Sequence, residues 1–252
     1  MKIEIFALEN LPEFDESSNL AEEIFKSLRQ SNSGFENNDI VIVTQKIVSK
    51  SEGKIVDIRY VRPTDNAKEI AKQTNKDPRL VQLILNQSKS IIRIEPERGI
   101  IITETIHGFI CANAGIDASN IPGDYNVCLL PENANISAQK ISETLTVISG
   151  FENVPVIITD TFGRPWREGH LSFAIGSFGI APLKNYEGTI DQHGKILKVT
   201  TSATIDIIAT AAELVSGKSS GTPVSIIRGF QYSTSTLNAE TLLRPIEKDL
   251  FR

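Results

Sequence analysis

The sequence predicts an α+β fold, with mixed sheets and interleaved helices packed as two intimate subdomains and with no P-loop NTPase core. Three observations carry this. Short apolar runs such as Asp39–Val43 and Val154–Ile158 alternate with segments whose apolar residues recur at helical spacing. Hairpin signals break that alternation, notably "PERG" between Ser90–Glu95 and Gly99–Thr105, which argues against a regular βαβ array. The 252 residues suffice for one large core or two modest ones, but no long linker, fixed-period repeat or low-complexity tract marks a boundary.

Taken in order, Lys2–Leu8 alternates in part and reads as a strand. Asn19 caps a helix carrying Leu20, Ile24, Phe25 and Leu28, with Glu22 three residues on as in a capping box. The strand Asp39–Val43 leads into the Lys- and Ser-bearing segment "TQKIVSKSEGK", and Ile55–Val61 is strand-like. Thr64 opens a helix to about Thr74; Asp77 with Pro78 opens another, bearing Leu80, Val81, Ile84 and Leu85. After the hairpin come strands at Gly108–Ala112 and Val127–Leu130 and a helix at Ser137–Ile148. Val154–Ile158 is read as a strand ending on Thr159-Asp160-Thr161, which turns through Gly163. A Gly-punctuated apolar stretch (Leu171–Ile180), a strand (Lys195–Thr200), a helix (Ala203–Val215) and a strand (Pro223–Ile227) complete the chain.

Composition narrows the function. With 40% hydrophobic and 23% charged residues this is an ordinary globular chain, and a net charge of −5 disfavours broad binding to nucleic acid or an anionic membrane. Cys111 and Cys128 form no CxxC pair, so neither a zinc site nor a disulfide framework is expected, and a reducing cytoplasm fits. The start "MKIEIFALENLPEF" is interrupted by Glu4 and Glu9, unlike a secretory signal, and no apolar run reaches about 18 residues.

"AELVSGKS" (Ala212–Ser219) matches the loose form of a phosphate-binding loop. That motif needs a strand before the glycine-rich loop and a helix after it; here a helical pattern precedes and a strand follows, so Gly217 reads as a helix C-cap. Two other stretches suit a hydrated, anionic substrate and a hard cation. "CANAGIDASNIPG" (Cys111–Gly123) sets Asn113, Asp117, Ser119 and Asn120 among small residues; alone it is a loop rich in Asx-turn residues. "ITDTFGRPWREGH" (Ile158–His170) offers Asp160, Thr161, Arg164 and Arg167; alone it is a turn with a surface ion pair. Together, two aspartates and a hydroxyl could converge on Mg²⁺ or Mn²⁺, with guanidinium groups neutralising phosphate or carboxylate.

In order along the chain, "VTQKIVSKSEGK", "HGFICANAGIDASNIPG", "LLPENANISA", "ITDTFGRPWREG", "AIGSFGIAPL" and "AAELVSGKSSGTPVSIIRG" resemble the coenzyme F420-0:L-glutamate ligase family, or F420 gamma-glutamyl ligases. The likeness runs from "LENLPEF" to Arg228-Gly229. It implies an enzyme that joins L-glutamate by gamma-linked amides to the carboxylate of a 5-deazaflavin precursor, F420-0. GTP is the co-substrate and Mg²⁺ or Mn²⁺ the metal, with a monovalent cation such as K⁺ also admitted; a cytoplasmic homodimer is expected. Carried over by position, Asp117, Asp160 and Thr161 look like metal ligands. Leu11, Pro12, Glu13 and Phe14 look like part of the GTP site, as do Gln45, Lys50 and Asn120. So does the loop Ser216, Gly217, Lys218, Ser219, Ser220, Gly221 and Thr222. Arg164 and Arg167 are the candidate catalytic cations, as anion contacts. Some relatives carry a C-terminal flavin-binding, nitroreductase-like domain; none is expected in these 252 residues.

Three positions depart from the pattern. Gln45 stands where some relatives have serine. Lys218 stands where some offer an acidic or amide ligand to a second metal, and a protonated lysine ligates no cation. "SATIDIIATAAEL" lacks a more acidic helix start. Two rival readings remain at this level: an amide ligase for another carboxylate, and a nucleotide-binding regulator that has lost catalysis.

Overall fold

The run Ile40–Thr44 is apolar at successive positions because both faces of its sheet are covered. In the computed structural model, which describes residues 2–31, 33–217 and 221–251, the chain begins with β1 (Glu4–Ala7), α1 (Leu20–Gln30), β2 (Ile40–Thr44), α2 (Gln45–Ser51) and β3 (Ile55–Asp57). Next come α3 (Asp65–Thr74), α4 (Pro78–Asn86), β4 (Ser88–Glu95), β5 (Ile100–Thr105), β6 (Ile110–Ala112) and β7 (Asn126–Cys128). It closes with α5 (Ala134–Ser149), β8 (Val156–Arg164), β9 (Arg167–Phe178), β10 (Leu183–Asn185), β11 (Thr201–Ala203), α6 (Thr204–Ser216) and β12 (Val224–Arg228).

The main sheet has the order β1-β12-β2-β8-β9; β2 and β8 run parallel and the other neighbours antiparallel. Period-two alternation splits its residues. Val41, Val43, Val156 and Ile158 meet Ile24 and Leu28 of α1 and Ile141 and Leu145 of α5. Ile40, Ile42 and Ile157 meet Ile205, Ile208 and Ala212 of α6 on the other face. Each of the fully buried aliphatic side chains contributes roughly 1.5–3 kcal/mol, so this helix–sheet–helix sandwich is the principal source of stability. At Gly176 an added Cβ would lie 2.4 Å from the Ala134 carbonyl, so only glycine lets β9 pass the first turn of α5. A smaller core joins α3 and α4 to the β4-β5-β6 sheet through Ile70, Val81, Ile84, Ile101 and Ala114. The β3-β7 pair adjoins it, with Val127 packed against Ile58 and Leu83. The architecture is therefore α+β, with several mixed or antiparallel sheets and, among the described residues, no closed barrel.

Local signals explain the helix ends. Asn19 accepts from the Glu22 N–H, Thr64 from Ala67 and Asp77 from Arg79, with Pro78 at the first helical position. Asn75 closes α3 with φ 51°, a left-handed conformation that Asn tolerates better than most residues.

Gln45–Ser51, for which the sequence predicts no element, is helical, so α2 starts directly after β2. Three expectations need correction. The strand at Ile55–Val61 is only β3, because Asp57 caps a 3-10 turn over Ile58–Tyr60. The strand at Lys195–Thr200 is reduced to one bridge, Ile190 to Ile196, and regular pairing starts with β11 against β10. Finally, β8 does not end at Ile158. It continues to Arg164 and returns as β9 through Pro165 and Trp166, whose φ of 58° supplies the turn that Gly163 was expected to make. The β-branched Thr159 and Thr161 suit a strand, and a bulge at Ile158/Thr159 lets it bend onward.

The outer edge of β9 is occupied by α6: Ser172 N–H donates to Glu213, Ala174 N–H to Asp206, and Thr210 Oγ1 to the Ser172 carbonyl. Backbone that would otherwise template another strand is thereby satisfied. Burial pushes the Asp206 carboxyl above the ordinary carboxylate range, against the pull of the Ala174 hydrogen bond. The segment around Gly217 lies between a helix and a strand, the reverse of a P-loop; Lys218, Ser219 and Ser220 lie outside the described residues. Among the described residues no helix is long and apolar enough to cross a membrane.

Candidate active site

β2 and β8 are in parallel register, Thr44 opposite Thr159, and their chains then diverge. β2 gives way to α2 while β8 runs on as an arm, so a crevice opens beyond their carboxyl ends, where open α/β sheets bind ligands. β1 is parallel to β2 through their shared neighbour β12, so the segment after β1 reaches the same end, as does the loop entering β12. Together with the loop after β6 these segments enclose a cleft of about 1330 Å³.

Most of the predicted site meets there. Leu11, Pro12, Glu13 and Phe14 line one wall, and Gln45 and Lys50 of α2 the floor. Asp117 and Asn120 come from the loop after β6, Asp160 and Thr161 from β8, and Ser216, Gly217, Gly221 and Thr222 from the loop before β12. Arg164 and Arg167 do not line the cleft. They pair across the tip of the β8–β9 arm, where Arg164 Nε is buried and meets no acceptor among the described residues.

The two aspartates sit in different fields. Burial alone would raise the Asp117 carboxyl; hydrogen bonds from Lys46 and from the N–H and hydroxyl of Ser119, with the Lys46 charge, outweigh it and hold the group below the usual carboxylate range. Lys46 Nζ lies 2.8 Å from Asp117 Oδ2. Ser119 N–H donates to Asp117 Oδ1 at 2.7 Å, the Asx turn that the loop composition suggested. Asp160 lies close enough to Cys111 that its charge adds to burial in pushing that thiol up to about 12. Cys111 is therefore a neutral packing group. Lys50, 8% exposed, reaches Glu13 at 3.0 Å and ties α2 to the wall after β1. Gln45 is buried and accepts from Ser49 Oγ at 3.0 Å.

The donor chemistry suits one class of cation. Among the described residues no three His, Cys, Asp or Glu side chains converge, so a closed zinc-like site has no ligands here. Two carboxylates and the Thr161 oxygens are hard donors, and Mg²⁺ or Mn²⁺ in such a set completes its shell with water and phosphate.

Among the cleft residues that escaped the sequence reading are Lys46, His170 and Glu213. The signal for Lys46 was its four-residue spacing from Lys50, visible once 45–51 is taken as a helix. That for Glu213 was its place on one face of α6 with Asp206 and Thr210. His170 carries no local signal, because only the return of the arm brings it to the cleft.

Residues 9–229 match the family model for F420-0:gamma-glutamyl ligase. The chain belongs to that family. Relatives named coenzyme F420:L-glutamate ligase include one from Methanothermobacter thermautotrophicus, 40% identical over the whole of both chains. Another, from Methanocaldococcus jannaschii, is 40% identical over all of this chain and 97% of its own. A third, from Natronomonas pharaonis, is 35% identical over 99% and 95%. The family match covers all the segments that build the cleft.

Proposed function

We propose that this member of the gamma-glutamyl ligase family joins L-glutamate, through gamma-linked amides, to the carboxylate of the deazaflavin precursor F420-0 at the expense of GTP. One observation carries the reading: the Asp117 loop and the Asp160 strand, distant in sequence, open on one cleft with the segments expected to hold the nucleotide.

A carboxylate is a poor electrophile, so the reaction needs activation. In the proposed sequence an acceptor carboxylate oxygen attacks the γ-phosphorus of GTP, the bond to the bridging oxygen breaks, and GDP leaves. The glutamate amine then attacks the acyl phosphate carbon; a C–N bond forms, phosphate departs with the C–O electron pair, and the amine yields a proton. A divalent cation held by Asp117 and Asp160, with Thr161 assisting, would neutralise charge on the phosphoryl oxygens. Lys50, freed from Glu13, would contact phosphate from the cleft floor. Arg164 and Arg167, at the tip of the arm, suit the outer anionic groups of the acceptor better than the transferring phosphoryl. A homodimer belongs to the same proposal.

The acceptor's flat ring needs an apolar wall. Phe162, two residues beyond Asp160, is half-buried and lines the cleft. It sits in a row of rings, stacked on Phe173 at 6.0 Å between centroids and tilted by 36° to Phe109 at 6.0 Å. Loss of ring contact at such a site costs about 1 kcal/mol or a little more, so Phe162→Ala is expected to raise the KM for F420-0 about tenfold. The KM for GTP should stay unchanged, as steady-state kinetics with each substrate varied would read.

The reading itself is tested by incubating the protein with GTP, Mn²⁺, L-glutamate and F420-0 and following product masses. Additions of single glutamyl units with stoichiometric GDP are expected. Nucleotide binding without turnover would favour the regulator, and turnover only with another acid the broader amide ligase.

A further inference from the structure

Lys46 reaches across the cleft from the first turn of α2 and spends its ammonium on one loop. Its Nζ lies 2.8 Å from Asp117 Oδ2, donates to the Ser119 carbonyl at 2.8 Å and contacts Ser119 Oγ at 3.1 Å. Three acceptors match the three donors of an ammonium. The pair is neither fully buried nor free in water, with side-chain exposures of 20% and 37%. Lys50, one turn further along the same helix, is paired with a different wall through Glu13. The two lysines therefore hold different parts of the cleft.

We infer that Lys46 is an exchangeable counter-ion: it neutralises Asp117 when no divalent cation is present, is displaced when one binds, and then turns its ammonium to the nucleotide phosphates. The inference rests on the proposed metal site. A carboxylate oxygen that takes a hard cation at about 2.0–2.6 Å has little left for an ammonium on the same lone pairs. Two positive groups so close also repel. Lys46 has to move, and its four-carbon stem allows that without moving α2. Phosphate is the acceptor that the proposed nucleotide brings into the same cleft. The exchange would hold the Asp117 loop in place and its charge compensated between turnovers.

A lysine acting only as a strut predicts the opposite sign in one measurement, the affinity for Mn²⁺ alone, without nucleotide, read from the electron paramagnetic resonance of the free ion. If Lys46 competes with the cation, Lys46→Met is expected to bind Mn²⁺ about five- to tenfold more tightly than the wild type, and Lys46→Arg about equally. With Mn²⁺ saturating, Lys46→Met should also bind GTP about tenfold more weakly. Mn²⁺ affinity that is unchanged or weaker in Lys46→Met, with the circular dichroism of the folded protein retained, would overturn the exchange and leave a strut. Wild-type protein that binds no Mn²⁺ would remove the metal reading together with this inference. Tight wild-type binding with the wrong response to Lys46→Met would remove the inference alone.

Discussion

Asp160→Ala is expected to lower GDP release dependent on F420-0 and glutamate by at least about a thousandfold, while the thermal midpoint moves little. The two parts have separate causes. Asp160 stands on the β8–β9 arm opposite Phe173, and its backbone ladder does not depend on its side chain. The carboxylate is partly exposed on the cleft wall, so removing it opens no cavity in the core. In the proposed chemistry the same carboxylate is one of two that fix the cation over the transferring phosphoryl, where lost charge stabilisation is worth several kcal/mol. Asp160→Asn separates charge from shape: it keeps the volume and one oxygen, and should be nearly as inactive as the alanine variant. Near-normal turnover by Asp160→Asn at saturating Mn²⁺ would take Asp160 out of the site.

The reach of the sequence can be judged from these residues. Helix starts at Asn19, Thr64 and Asp77 were legible because a cap is a local hydrogen bond between a short polar side chain and a nearby N–H. The buried β2 was legible because a doubly covered strand shows as an unbroken apolar run. The candidate ligands were legible as residue types in loops, and family likeness ordered them. What escaped depends on distant partners. The register that sets Thr44 opposite Thr159, and so places the crevice, is a non-local pairing. Thr159-Asp160-Thr161 read as a strand end because Gly163 follows; the partner that keeps them in a strand is Ser172–Ala174, supplied only after the arm turns at Trp166. The pairing of Lys46 carries no local signal in the sequence, because its partner is a loop 73 residues away.

Asp39→Ala is expected to do the reverse of Asp160→Ala, lowering stability by about 3–5 kcal/mol while leaving turnover per folded molecule unchanged. Asp39 has a fully buried side chain, and Arg228 is 14% exposed. Arg228 Nε donates to Asp39 Oδ1 at 2.8 Å and an Nη to Oδ2 at 2.6 Å, the bidentate geometry of a strong pair. The pair raises the Arg228 pKa above its ordinary value, the Asp39 hydrogen bonds being the largest cause. Asp39 also accepts from the Glu36 N–H, so it fixes the turn into β2. Removing it leaves the guanidinium with the Ser33 and Gly34 carbonyls and the well-exposed Glu36 carboxylate, and without its buried counter-charge. For a chain of this size the midpoint should fall by roughly 6–20 °C, read by calorimetry. The double variant Asp39→Leu/Arg228→Met should recover part of the loss, because exchanging both partners for apolar groups leaves no orphaned charge. Function should survive because Asp39 precedes β2 and Arg228 ends β12, whereas the cleft opens beyond the other ends of both strands. Lost turnover in Asp39→Ala, at a temperature where it is fully folded, would mean that the two ends of the sheet are coupled and that the cleft depends on more than the segments lining it.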